Sequence, residues 1–126
     1  MRRVTSMNSR AKGIRGELEV RDLLRAEGYL AERGQQHSGG SDAPDVKHDI
    51  PNVHIEVKYD ERAPGSMWRW MSQAVRDAAG LLMPVVFFRR NHCDWLVTMR
   101  SDDFFKLMAA SRERAFIENP IIPENW

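Results

Sequence analysis

The stretch Pro44 Asp45 Val46 Lys47 His48 Asp49 Ile50 Pro51 Asn52 Val53 His54 Ile55 Glu56 Val57 Lys58 Tyr59 decides the fold. Two strand-like runs, Asp45 to Ile50 and Val53 to Tyr59, flank the turn pair Pro51 Asn52 and predict a hairpin. In the second arm Ile55 and Val57 alternate with His54, Glu56 and Lys58, so one face is apolar and the other presents an acid and an amine. Hairpin pairing would set the Asp45 carboxylate beside Glu56, where two anions repel unless a divalent cation lies between them. Mg²⁺ suits such a pair, because it takes oxygen ligands at about 2.1 Å and keeps positions for water and phosphate oxygens. Lys58 alongside could orient or help deprotonate a water for in-line attack on a phosphate. Taken alone, the same residues also read as an exposed cross-strand salt bridge.

Upstream, Ile14, Leu18, Val20, Leu23 and Leu24 recur at helical spacing, which predicts a helix from Ser9, its cap, to Gly28, its stop. Glu17 lies on the face that should be buried, beside Gly13 and Gly16, and a carboxylate there requires a compensating cation or metal. Tyr29 to Arg33 reads as a short strand, and Gly34 to Asp42 as a polar loop. Downstream, Trp68, Met71, Val75 and Ala78 form the stripe of a second helix, Met67 to Ala79, stopped by Gly80. Val85 to Phe88 and Trp95 to Met99 read as strands around the turn at Asn91 to Asp94. Ser101 opens a last helix reaching about Phe116, with Asp102 and Asp103 in its first turn and Phe104, Leu107 and Met108 inward.

The order αβββαββα implies an α/β fold, a mixed sheet of about five strands flanked by helices. At 126 residues, with no internal repeat, the chain fits one domain: a basic tail at 1–8, the folded domain at 9–117 and a tail at 118–126. Hydrophobic residues at 42%, against 8 Gly and 6 Pro, exclude disordered and collagen-like classes. One cysteine, Cys93, excludes an intramolecular disulfide framework or thiolate zinc cluster and reads as inert. The apolar run Leu81 to Phe88 is too short to span a bilayer and the basic start lacks a signal-peptide core, so a cytoplasmic protein without a membrane partner is expected. A net charge of +1 says little about partners, but Arg2, Arg3, Arg10, Lys12 and Arg15 all precede the first acid, Glu17.

In order along the chain, Gly16 Glu17 Leu18 Glu19 Val20, Arg33 to Gly40, Pro44 Asp45 Val46 and Ile55 Glu56 Val57 Lys58 resemble the PD-(D/E)XK nuclease superfamily. The set is most similar to the Holliday junction resolvase-like endonucleases of phages and prophages, relatives of the archaeal resolvases. The similarity continues through Gln73 Ala74, Pro84 to Phe87, Arg89 Arg90 Asn91 and Trp95 to Thr98, covering about Ser9 to Leu107. It implies a restriction-endonuclease-like core and a Mg²⁺-dependent DNA endonuclease, with Mn²⁺ able to substitute and no nucleotide cofactor. It further implies Asp45, Glu56 and the Val57 carbonyl as metal ligands, Lys58 as the catalytic lysine and Glu17 as the helix acid. Ser38 matches the serine of the loop ahead of the aspartate, with Ser41 as its rival, and Gln73 matches a polar helix residue at the rim.

DNA contacts are expected from Arg10, Lys12, Arg15, Arg33, Gln36, Arg62, Arg69 and Gln73. The chain departs from the family in lacking a strongly basic face. The expected substrate is a four-way junction or other branched DNA, cut by a homodimer, since resolution needs two symmetric incisions. The alternatives are a nuclease for nicks, ends or mismatches, and an idle DNA-binding subunit on the same scaffold. His37 and His48 lack ligand spacing and read as ordinary residues. Trp68 lies on the apolar stripe and reads as core, whereas Trp70 is the candidate for DNA or dimer contact. Arg89, Arg90 and Asn91 read equally as a phosphate contact or a solvated turn.

Overall fold

The computed structural model describes residues 5–34 and 45–118. Its elements are α1 (Thr5–Ala26), β1 (Ala31–Arg33), β2 (Val46–His48), β3 (Val53–Tyr59), α2 (Met67–Ala78), β4 (Met83–Arg89), β5 (Leu96–Met99) and α3 (Ser101–Glu118). Gln36, His37, Ser38, Ser41 and the tail from Asn119 lie outside the described residues. The expected order of elements stands, and α1 starts at Thr5 rather than at Ser9. Gly28, at φ 93°, adopts the left-handed backbone that ends α1 at low cost. No helix among the described residues is long and apolar enough to cross a membrane.

The expected hairpin does not form a ladder. β2 pairs antiparallel with β1, while β3 pairs in parallel with β4, and β4 in turn pairs antiparallel with β5. The five strands thus divide into hydrogen-bonded sheets of two and three. Asn52, at φ 62°, turns the chain between β2 and β3, and its carbonyl accepts the Met83 N–H at the start of β4. Seven matched pairs, Val53 with Met83 through Tyr59 with Arg89, then bind β3 to the apolar β4 along its whole length. A three-residue β2 could not offer as many ladder bonds.

Strand alternation divides the core between two helices. Ile55 and Val57 face α1 and pack with Val20, Leu24, Ala31 and Val46, whereas Val86 and Phe88 face α2 and pack with Ala63, Trp70 and Ala74. Fully burying one such aliphatic side chain is worth about 1.5–3 kcal/mol. Gly16 sets how closely α1 approaches β3: a Cβ there would lie 3.0 Å from the Tyr59 Cβ and 3.3 Å from the Val57 Cγ1. Any side chain at that position would push the helix off the strand.

Two helix faces differ from the sequence reading. On α2 the buried stripe is Trp70, Ala74 and Ala78, and Trp68 is 87% exposed, so the expected roles of the two tryptophans are exchanged. Both stripes have helical spacing; the observed one puts two alanines against β4 and so allows closer approach, with the Trp70 and Phe88 ring centroids 6.1 Å apart. On α3 Phe104, Leu107 and Met108 are exposed rather than inward. That helix makes no extended contact with any other described element, so its apolar residues have no layer to bury against.

Candidate active site

Alternation on β3 turns His54, Glu56 and Lys58 to the α2 side, opposite Ile55 and Val57. Residues Gln73 and Asp77, one helical turn apart on α2, meet this row. The Lys58 Nζ donates to Gln73 Oε1 at 2.9 Å, and the Gln73 Nε2 lies 3.5 Å from Glu56 Oε2. Gln73 therefore holds the amine and the carboxylate in one frame. His54 Nε2 sits 2.9 Å from the other Glu56 oxygen, and both residues are buried. One donor atom each from His54, Glu56 and Asp77 falls within a 4.8 Å cluster.

Asp45 comes in from the head of β2. Its Oδ2 accepts the Val57 N–H at 2.7 Å, which sets the carboxylate against the edge of β3 that no described strand pairs. The Asp45 and Glu56 side chains come within hydrogen-bonding reach of each other. Burial, then the neighbouring Asp45 charge, push the Glu56 carboxyl up to about 7 despite the opposing hydrogen bond from His54. The His54 imidazole is raised in turn, chiefly by its hydrogen bond to Glu56. Two carboxylates in contact need a proton or a cation between them. The residues present thus fit a hard divalent ion, which Asp45, Glu56 and the Val57 carbonyl could hold.

Glu17 occupies the buried position expected on α1, and the cation that compensates it is Arg33, whose Nε donates to Glu17 Oε1 at 2.6 Å. Burial raises the Glu17 carboxyl, with Arg33 opposing and Asp45 adding to the rise. Arg33 is therefore engaged within the protein. Lys12 pairs with Glu61, Arg15 with Glu19 and Arg62 with Asp60 at distances of 2.9, 3.1 and 2.6 Å, while Arg10 and Arg69 are exposed. Arg89 bonds Glu19 and stacks over Tyr59, which ties the end of β4 to α1 rather than leaving it a solvated turn. His48 accepts the Ile50 N–H through Nδ1 and stays at the turn.

Sequence reasoning assigned no role to His54 or Asp77. The signals were present: His54 shares the period-2 face of Glu56, and Asp77 lies four residues after Gln73.

The chain is similar to a solved Holliday junction resolvase, Hjc of the archaeal hyperthermophile Archaeoglobus fulgidus. The identity is 19%, the match covers 68% of this chain and 73% of that one, and the TM-score is 0.51, which supports a shared fold. No curated protein matches the sequence. A family profile described as "Phage putative PDDEXK endonuclease" matches residues 8–123. That span includes α2, α3 and every described strand, with Asp45 and Glu56 in it, and the chain belongs to this phage PDDEXK endonuclease family.

Proposed function

We propose that the protein is a cytoplasmic, Mg²⁺-dependent DNA endonuclease that cuts four-way or otherwise branched DNA in recombination or repair, leaving 5′-phosphate and 3′-hydroxyl ends. The observation that carries this reading is the convergence of Asp45 and Glu56, with Lys58 fixed beside them through Gln73. Asp45, Glu56 and the Val57 carbonyl would hold the ion, and a bound Mg²⁺ would supply neutralising charge at the scissile phosphate. Lys58 orients the attacking water at its Nζ, and Gln73 keeps that amine from swinging away. Glu17, the helix acid, would act on the ion directly or through water, and the neighbouring Asp45 charge that raises its carboxyl supports its place in the site. Ser38 and Gln36 belong to the same reading by family resemblance.

Arg10, Lys12, Arg15, Arg62 and Arg69 would bind phosphates. Each of the pairs at Lys12, Arg15 and Arg62 has one exposed member, so exchanging a carboxylate for a phosphate costs little. Dimerisation is supported by the apolar surface on β5 and α3 that no described element covers, where Leu96, Val97, Phe104 and Phe105 are exposed. A second copy would cover it and give the two-fold symmetry that paired incisions require.

The test is cleavage of a synthetic mobile four-way junction and of the matching linear duplex, with and without Mg²⁺. Symmetric junction cuts that vanish on chelation and in Lys58→Ala are expected. Equal cutting of both DNAs would favour a nuclease for other DNA structures, a reading to which the near-neutral charge lends support. DNA binding with no cleavage under any divalent ion would instead identify an idle binding subunit.

A further inference from the structure

His54 and Asp77, which cluster with Glu56, are not used by the ion set of Asp45, Glu56 and Val57. Two of the cluster's members stand on β3 and the third on α2, so rigid elements hold all of them. Their donor atoms lie within 4.8 Å of one another, and His54 Nε2 and Glu56 Oε1 are 2.9 Å apart. An octahedral ion with bonds of about 2.1 Å places adjacent ligands about 3.0 Å apart and opposite ones about 4.2 Å apart. The His54–Glu56 separation matches that of adjacent ligands, and the cluster is only slightly wider than the span of opposite ones, so small side-chain shifts bring all three residues around one ion. His54 and Glu56 are 3% and 2% exposed, and an Asp77 carboxylate oxygen lies within 4.8 Å of a ligand atom on each of them. Carboxylates held this close away from water need a proton or a cation between them, and a bound ion would take the place of the proton.

We infer that His54, Glu56 and Asp77 form a second divalent-cation site, separate from the Asp45 set and linked to it by Glu56, that takes a first-row transition ion such as Mn²⁺ or Zn²⁺ rather than Mg²⁺. The preference follows from the imidazole nitrogen, a donor that suits Mn²⁺ and Zn²⁺ but not the harder Mg²⁺. Bridging by Glu56 rests on the nuclease reading above, whereas binding to the three residues rests on their geometry alone.

The experiment is a Mn²⁺ titration of the full-length, metal-stripped chain in millimolar Mg²⁺, followed by the EPR signal of free Mn²⁺. Wild type and Asp45→Asn are expected to retain one Mn²⁺ against Mg²⁺. His54→Gln, whose amide can still donate to Glu56, and Asp77→Asn are expected to lose affinity by more than about tenfold. Pulsed EPR of Mn²⁺ on the wild type and on Asp45→Asn should show a directly bonded nitrogen, a readout that does not depend on how the His54 variant folds. Mn²⁺ affinity unchanged in His54→Gln and Asp77→Asn would overturn the proposal. So would an oxygen-only ion in the wild type, or loss of the Mg²⁺-resistant ion in Asp45→Asn. Nitrogen-bound Mn²⁺ in a chain that cuts no DNA would sink the nuclease reading alone. Mg²⁺-dependent cutting with no nitrogen-bound ion would sink this one alone.

Discussion

The side chain of Asp45 accepts the backbone N–H of Val57 at 2.7 Å, so one acid both closes the edge of β3 that no described strand pairs and faces Glu56. These two roles can be separated by substitution. Asp45→Asn keeps an oxygen acceptor for Val57, and it should fold normally while cleavage falls by at least about 10²–10³-fold. Asp45→Ala leaves that N–H without a partner and should cost about 1–3 kcal/mol in addition. Urea titration with a cleavage assay checks both, and equal stability of the two variants would remove the edge-closing role.

Gln73 touches Lys58 and Glu56 at once, and under the proposed function it would act by positioning them. Gln73→Ala should lower kcat by roughly tenfold to a hundredfold with KM changed little, since no substrate contact is required of it. A rise in KM with kcat intact would instead make it a DNA-binding residue.

The tryptophans of α2 should separate stability from binding. Trp70→Ala removes a core ring packed on Phe88 and should cost about 3–5 kcal/mol. Trp68→Ala should leave stability within about 0.5 kcal/mol of wild type, because its ring is 87% exposed. If that ring stacks on unpaired bases, the same change should weaken binding to branched DNA by about 1–3 kcal/mol relative to duplex. Equal weakening on both DNAs would exclude stacking.

In the metal-free protein, stability should fall as pH rises from about 5 to 8. The folded Glu56 carboxyl is raised from its ordinary 4.5 to about 7, so the folded state keeps a proton that the unfolded chain releases. The corresponding stabilisation is complete below 4.5 and is lost as pH climbs through 7. His54 and Glu17 are raised as well and act in the same direction, with the His54 share lost above 6.5. His48, lowered by burial, acts oppositely within the same window, and Asp60, lowered by Arg62, does so only at more acidic pH. Thermal melts should show Tm lower at pH 8 than at pH 5.5 by at least about 4 °C, and Glu56→Gln should flatten the slope. A rising or level profile would contradict the burial of Glu56 in its protonated form.

Much of the site was legible in the sequence because it depends on local spacing. Period-2 alternation placed Glu56 and Lys58 on one face, and a lone acid on an apolar stripe marked Glu17. The cation that balances it, Arg33, comes from another element, so no helical pattern could name it. Strand pairing was misread at Pro51 Asn52, since a turn pair states where the chain reverses but not which neighbour offers the longer ladder. The inward and outward tryptophans were exchanged because two stripes on α2 share the same period, and only the fit of Ala74 and Ala78 against β4 separates them. The inward reading of α3 failed for a related reason, since an apolar pattern does not specify what covers it.

The residues that converge on the Glu56 carboxylate all come from positions 45–77, mostly from the β3 and α2 part of one βαβ unit. Short chain separations make their loop closures entropically inexpensive, so this unit should be ordered first during folding, with α1 docking afterwards. Stopped-flow chevrons would then show Val86→Ala slowing refolding and Leu24→Ala chiefly accelerating unfolding; the reverse pattern would place the nucleus on α1. If so, the candidate pocket doubles as the seed of the fold, and damage to it would delay maturation of the nascent chain as well as remove the proposed activity.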